Sequence, residues 1–152
     1  MTNPSPKAVV DSVAEMKPET VAEYPYLIKE KELDSFGHVN NAAYLVLFEE
    51  ARWETITARG YGLKKVHELK IGPVILELNL KFKREVANRE KVVIKTGVLK
   101  HAGKISTLRQ VMLNSKGEEA CVAEFVIGLF DLNARKLIDY TPEWNAALGL
   151  KT

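Results

Sequence analysis

The chain has 152 residues, 46% hydrophobic and 28% charged, with 22 basic and 20 acidic side chains and a formal net charge of +2. That length suits one domain with a core that needs no disulfide or metal, and the balanced charge argues against duplex DNA or another strongly charged partner. The single cysteine, Cys121, cannot close an internal disulfide, no Cys/His cluster has zinc spacing, and no run approaches the roughly 18 apolar residues of a membrane span.

Residues 1–20 hold Pro4, Pro6 and Pro18 and no sustained apolar pattern. They read as a flexible leader with a short helix near residues 9–16, followed by one domain over 21–152. The leader lacks the continuous apolar h-region of a secretory signal, so a cytoplasmic location is expected. In residues 21–33, Tyr24, Tyr26 and Ile28 alternate with Pro25, Leu27 and Lys29, which is strand periodicity. Pro25 places this strand at a sheet edge or at a break, because proline cannot donate to a ladder.

The loop Asp34-Ser-Phe-Gly-His-Val-Asn40 leads into a helix over 41–59. Tyr44, Leu47, Phe48, Ala51 and Thr55 share one face of it. Asn40 is its expected N-cap, and Gly60 and Gly62 end it. A second stripe of Leu45, Trp53 and Ile56, with Glu49 among them, leaves the helix apolar on more than one side. It therefore calls for a cover beyond one sheet face, which a second subunit can supply.

A helical turn follows at 64–69, then Gly72-Pro73 breaks the chain. Four strand-like runs come next, at 74–83, 91–100, 104–113 and 118–131, separated by turn-like segments. The first alternates Val74, Leu76, Leu78, Leu80 and Phe82 with mostly polar residues, as a strand with one wet face does. Short connections make the four runs a meander of antiparallel neighbours. Cys121 lies in the fourth and reads as a buried structural thiol. The tail is a loop ending in a helical turn at 143–148. One long helix against an antiparallel sheet of five or six strands gives a two-layer α+β domain.

The chemistry concentrates around Asp34. Gly37 allows close approach of a ligand or of the backbone. The amides of Asn40, Asn41 and Ala42 lie in the first helical turn or its approach, where donors lack intrahelical partners and the helix dipole is positive. Such a place stabilises a carbonyl oxygen as negative charge develops on it. Asp34 also has an ordinary reading as a turn or capping residue.

The run Asp34-Ser-Phe-Gly-His-Val-Asn-Asn-Ala-Ala-Tyr-Leu, with Phe48-Glu-Glu-Ala-Arg52 after it, resembles the hotdog-fold acyl-CoA thioesterases of the 4-hydroxybenzoyl-CoA thioesterase type over residues 21 to about 148. The resemblance implies a hotdog fold, with the sheet wrapped around one central helix. It also implies hydrolysis of an acyl-CoA, with no metal and no cofactor other than the coenzyme A of the substrate. Asp34 matches the catalytic carboxylate, acting as nucleophile or general base, and the amide of Asn41 matches the group that polarises the thioester carbonyl. His38 orients Asp34, moves a proton, contacts substrate or simply holds the loop. Gly37, Asn40, Tyr44, Glu49, Lys81, Lys83 and Arg84 are the substrate-side candidates. The three basic residues match those that meet coenzyme A phosphates, although a solvated strand face explains them as well. Tyr44 also suits the core, and Glu49 also suits a structural or intersubunit ion pair. The family pairs subunits sheet edge to sheet edge, so a homodimer or homotetramer is expected.

Other readings are an acyl-carrier-protein thioesterase, a hotdog hydratase or dehydratase using Asp34 with His38, and a non-catalytic acyl-CoA binder. The carrier-protein branch resembles Asp-x-Asn-x-His, and Phe36 stands where its Asn would be.

Overall fold

The computed structural model describes residues 12–151. Its regular elements are β1 (Ala22–Leu27), α1 (Asn41–Ala58), α2 (Leu63–Leu69), β2 (Ile71–Phe82), β3 (Lys91–Ala102), β4 (Ile105–Leu113), β5 (Glu119–Asp131), β6 (Lys136–Ile138) and α3 (Pro142–Leu148). The strands form one antiparallel sheet in the order β1-β3-β4-β5-β2, with β6 paired to β5. Helix α1 lies along one face of this sheet. Tyr44, Leu47, Phe48 and Ala51 of the helix are buried in one cluster with Ile94, Leu108, Phe125 and Ile127 of the strands.

Local chemistry sets the ends of α1. Asn40 is extended (φ −64°, ψ 144°) and its side chain accepts the Ala42 amide, a standard N-cap. At the other end Gly60 takes φ 90° and the Tyr61 amide turns back to the Ile56 carbonyl, which stops the helix. The second apolar stripe is covered in part by the chain's own α3: Ile56 is buried in the same cluster as Trp144 and Leu148, and Trp53 packs against that cluster.

The N-terminal strand falls at a sheet edge as expected, with Pro25 opposite Val93 and no strand on the other side of β1 among the described residues. The expected meander fails at its first step. β2 pairs with β5 at the far end of the sheet, and β3 pairs with β1. The segment between β2 and β3 is a crossing rather than a hairpin. Its start is tied to β5 by the amides of Lys83 and Arg84 on the Ala120 carbonyl, and its end to the chain after β1 by the Arg89 amide on Ile28 O. Buried Val86 anchors it midway. The turn residues Ala87, Asn88 and Arg89 do form a turn, with Arg89 at φ 62°, but it delivers the chain to β1.

The wet-face expectation for β2 also needs correcting. Residues 75–79 are all exposed, on both faces. Helix α1 approaches β1, β3 and α3 closely, and the inner face of β2 is only partly covered: Ile71 and Leu80 pack against the core while Leu78 is left half exposed.

The leader expected over 1–20 is packed from Ser12 onward; residues 1–11 lie outside the described residues. Met16 is buried against Val111 and Val122 on the outer sheet face. The Lys17 amide donates to Val98 O (2.8 Å), Thr20 Oγ1 accepts the Val98 amide (2.8 Å), and Arg109 holds Ser12 O (2.9 Å). Gly97 makes room for this strap, since a Cβ there would meet Met16 Sδ at 2.7 Å. Cys121 is fully buried on β5, and burial pushes its thiol up to about 12. Among the described residues no helix is long and apolar enough to cross a membrane.

Candidate active site

The loop before α1 is built on buried Glu32. Its carboxylate accepts the hydroxyl of Tyr26 and the Lys29 amide, and its backbone carbonyl accepts the Asn40 amide (2.8 Å). Leu33 and Val39 form a bridge, and the Asp34 amide donates to His38 O (2.8 Å). The intervening turn closes through Gly37, which takes φ 81°, a conformation that favours glycine. Asp34 stands at the head of this turn. Its Oδ1 accepts the amides of Phe36 (2.8 Å) and His38 (3.2 Å), which fixes the carboxylate. Oδ2 accepts nothing among the described residues. The capping role of Asp34 is therefore real, and it occupies only one of the two oxygens.

The first turn of α1 faces the same place. The Ala42 amide is taken by Asn40 Oδ1 (2.8 Å) and the Ala43 amide by Asn40 O (3.0 Å). The Asn41 amide has no protein acceptor among the described residues. Asp34, Phe36, His38, Asn41, Tyr44 and Arg84 line one open cleft of about 430 Å³, with Val39, Phe82 and Glu85. A free carboxylate oxygen and an unspent amide at the positive end of an 18-residue helix thus share one cavity.

The remaining candidates divide. Tyr44 is buried at 4% exposure, with its ring edge-on to Phe82 at 5.5 Å, so it is a core residue that also floors the cleft. Burial, with the charges of surrounding groups including Asp34, raises its pKa. His38 is bonded to Asp34 only through its backbone; its Nε2 lies 3.3 Å from Glu85 Oε2. The side-chain Asp–His pair of the hydratase reading is thus not formed. Asn40 acts as cap and Gly37 as hinge of the turn.

Arg84 reaches the cleft while donating to Glu119 O (2.9 Å) and lying 3.5 Å from Glu118. Lys81 and Lys83 alternate to the outer sheet face beside Arg109 and Glu124, away from Asp34. Lys83 is committed to fully buried Glu119 at 2.8 Å. Glu49 is outside the cleft too. It stands two turns further along α1, exposed, with Arg52 at the lip of a second cavity. Arg52 donates to buried Gln110 (2.9 Å), which in turn donates to Phe48 O and Thr96 Oγ1, and its guanidinium lies 4.3 Å from the Phe125 ring centre. Burial lowers its pKa, and the charge of Glu49 opposes that shift.

Sequence reading missed Glu85 and Phe82 as cleft walls, because the crossing between β2 and β3 brings them there and no local pattern announces it. Phe36 was read only as a departure from a motif. It is 84% exposed at the cleft mouth, an unusual position for a phenylalanine. Among the described residues no three His, Cys, Asp or Glu side chains converge as a metal-binding set.

A six-stranded antiparallel sheet wrapped on one long helix, with the motif loop at the helix N-terminus, is the hotdog architecture. Residues 28–148 match the thioesterase-like superfamily, and the chain belongs to it. The long-chain acyl-CoA thioesterase FadM of Escherichia coli (strain K12) is 28% identical to this chain over 108 residues, 70% of this chain and 80% of that protein. The DHNA-CoA thioesterase of Staphylococcus aureus superposes with a TM-score of 0.74 at 25% identity, covering 84% of this chain and 87% of its own. Another Staphylococcus aureus protein, solved in complex with CoA, superposes with a TM-score of 0.79 over 87% of each chain; at 14% identity this is a likeness of fold.

Proposed function

We propose that this protein hydrolyses an acyl-CoA thioester at the Asp34 cleft. The observation that carries the reading is the pairing of Asp34 Oδ2 and the Asn41 N–H, both without protein partners among the described residues, in one cavity at the positive end of α1. With the thioester carbonyl oxygen on the Asn41 amide, negative charge forming there is stabilised by that donor and the helix dipole. Asp34 then acts in one of two ways. As general base it takes a proton from water while the water oxygen bonds to the acyl carbon. As nucleophile it bonds to that carbon itself, and water later cleaves the anhydride. On either route the C–S bond breaks and the electron pair leaves with the coenzyme A sulfur.

Of the three basic candidates Arg84 is the one that lines the Asp34 cleft, which supports it as the contact for a substrate phosphate, and the family's CoA-bound and CoA-named relatives support coenzyme A as the carrier. Those relatives are named for different acyl groups, so they leave the acyl group open. The long outer edge of β2, with apolar side chains exposed along it, pairs with no further strand among the described residues and is a pairing template. It supports a homodimer joined antiparallel through two β2 edges, with a tetramer requiring a further surface.

Free-thiol release from a panel of acyl-CoAs tests the activity. Turnover of at least one, dependent on Asp34, supports it; a CoA-stabilised protein that hydrolyses none would establish the binder reading instead. Sedimentation reads the assembly directly, and a monomer at assay concentration would refute the edge pairing.

A further inference from the structure

Glu32 is a buried acidic residue that the chemistry at Asp34 does not use. It is 5% exposed, and it lines a different hollow from Asp34, one shared with Tyr26, Asn40, Ala42 and Val46. Burying a carboxyl group is costly unless its oxygens are bonded. Here both are: one accepts the Tyr26 hydroxyl and the other the Lys29 amide at 3.2 Å. An apolar residue of similar volume would fill the space without needing partners, so this carboxyl group calls for a reason beyond packing.

Tyr26 is itself held. Its ring stacks on that of Tyr24 with 6.2 Å between centroids, and the Lys29 ammonium lies 4.0 Å from its centre while donating to Leu27 O at 3.0 Å. Tyr24 is anchored in turn by its hydroxyl on Glu50 of α1 at 2.7 Å. Burial and the bond to Glu32 raise the pKa of the Tyr26 hydroxyl above its ordinary value, which keeps it a donor.

Glu32 also stands where the two halves of the Asp34 site meet. Asp34 follows it by two residues. Asn40, which precedes Asn41, gives its amide to the Glu32 carbonyl at 2.8 Å. Between these points the loop is closed by the Leu33–Val39 bridge and by the Asp34 amide on His38 O. The loop is therefore a stiff unit that moves with residue 32. The Glu32 side chain ties that unit to β1, and the Glu32 backbone ties it to the start of α1.

We propose that Glu32, braced by Tyr26, is a positioning residue that sets the Asp34 carboxylate against the Asn41 N–H without touching the substrate. The inference rests on the thioesterase reading of the Asp34 cleft. A misplacement of about 1 Å can cost ~100-fold in rate. Because Glu32 lies outside the cleft, the groups that bind the rest of the substrate stay as they are.

The test compares the full chain with Glu32→Leu, Glu32→Gln and Tyr26→Phe. Hydrolysis of whichever acyl-CoA turns over best is measured with melting curves, and amide hydrogen exchange is followed by NMR on the same proteins without ligand. Glu32→Leu should lower kcat by about 10- to 100-fold and leave KM within about threefold. Exchange at the Asn40 and Asp34 amides should quicken by about tenfold or more. In Glu32→Gln the side-chain amide can donate to the Tyr26 hydroxyl while its oxygen still accepts the Lys29 amide, so kcat should return to within about threefold of wild type. Tyr26→Phe deletes a single hydroxyl and should move kcat and exchange in the same direction as Glu32→Leu, by a smaller factor, so the series stays informative if Glu32→Leu fails to fold. A purely structural role would lower Tm and the folded fraction and leave kcat per folded molecule alone. Unchanged kcat per folded molecule in either Tyr26→Phe or Glu32→Leu, or a Glu32→Gln as slow as Glu32→Leu, overturns the proposal. Equal exchange in all four proteins overturns it whatever the turnover. If no acyl-CoA releases thiol with the wild type and the exchange rates still follow this order, the hydrolase reading fails and the hold of Glu32 on the loop stands.

Discussion

Replacing Asp34 by Asn separates the two jobs its carboxylate does. Oδ1 holds the loop by accepting the amides of Phe36 and His38 at 2.8 and 3.2 Å. An asparagine keeps that acceptor, so the turn through Gly37 should survive. The loss is the charge: bonds to a charged acceptor, worth ~1.5–3 kcal/mol, become neutral ones worth ~0.5–1.5. The half-exposed position lets water make up part of the difference, giving about 1 kcal/mol of destabilisation and a Tm lower by roughly 2–4 °C. Chemistry should suffer far more. Removing a general base typically costs 100- to 10,000-fold, ~2.7–5.4 kcal/mol of barrier. The assay is free-thiol release by wild type and variant on whichever acyl-CoA turns over best, with melting curves on the same samples. A variant that melts normally yet keeps more than about a tenth of the activity would refute the assignment, because so small a loss falls below what a general base supplies.

Lys83 reads as a structural partner. Its ammonium is the counter-ion of Glu119, which is fully buried, so Lys83→Met should destabilise by ~3–5 kcal/mol. Adding Glu119→Leu should recover much of that loss, measured by urea unfolding; a purely additive double mutant would contradict the coupling. Cys121 should react slowly with a thiol reagent in the native protein and quickly in denaturant, since burial raises it to about 12; fast native labelling would show that the strand opens. Burial pushes the pKa of Glu90 up, yet the amides of Ser115 and Ala87 and the Ser115 hydroxyl hold it below its ordinary 4.5. The stabilisation is therefore present above about pH 4.5 and lost as pH falls through the lower folded value. Glu90→Gln should flatten stability between about pH 6 and about pH 3, and an unchanged acid slope would count against these bonds.

The helix with its Asn40 cap and Gly60 stop, the edge position of Pro25, the buried thiol and the Asp34–Asn41 loop were all legible in the sequence. Each depends on a few neighbouring residues: a cap on one side chain and one amide, a turn on one glycine, a strand on alternation. The family itself was legible for the same reason, because its motif is a continuous run.

Tertiary structure decided the rest. Only the crossing between β2 and β3 sends β2 to the far edge, brings Glu85 and Phe82 to Asp34, and turns Lys81 and Lys83 outward. Only the off-centre seat of α1 leaves Leu78 on the inner face of β2 half exposed. Strand order and helix placement follow from the mutual fit of faces distant in sequence, and the two-residue period of a strand is the same whichever neighbour it pairs with. The sequence by itself therefore determined the elements and the candidate loop at the start of α1. The partners of those elements, and with them the shape of the cavities, were settled by packing alone.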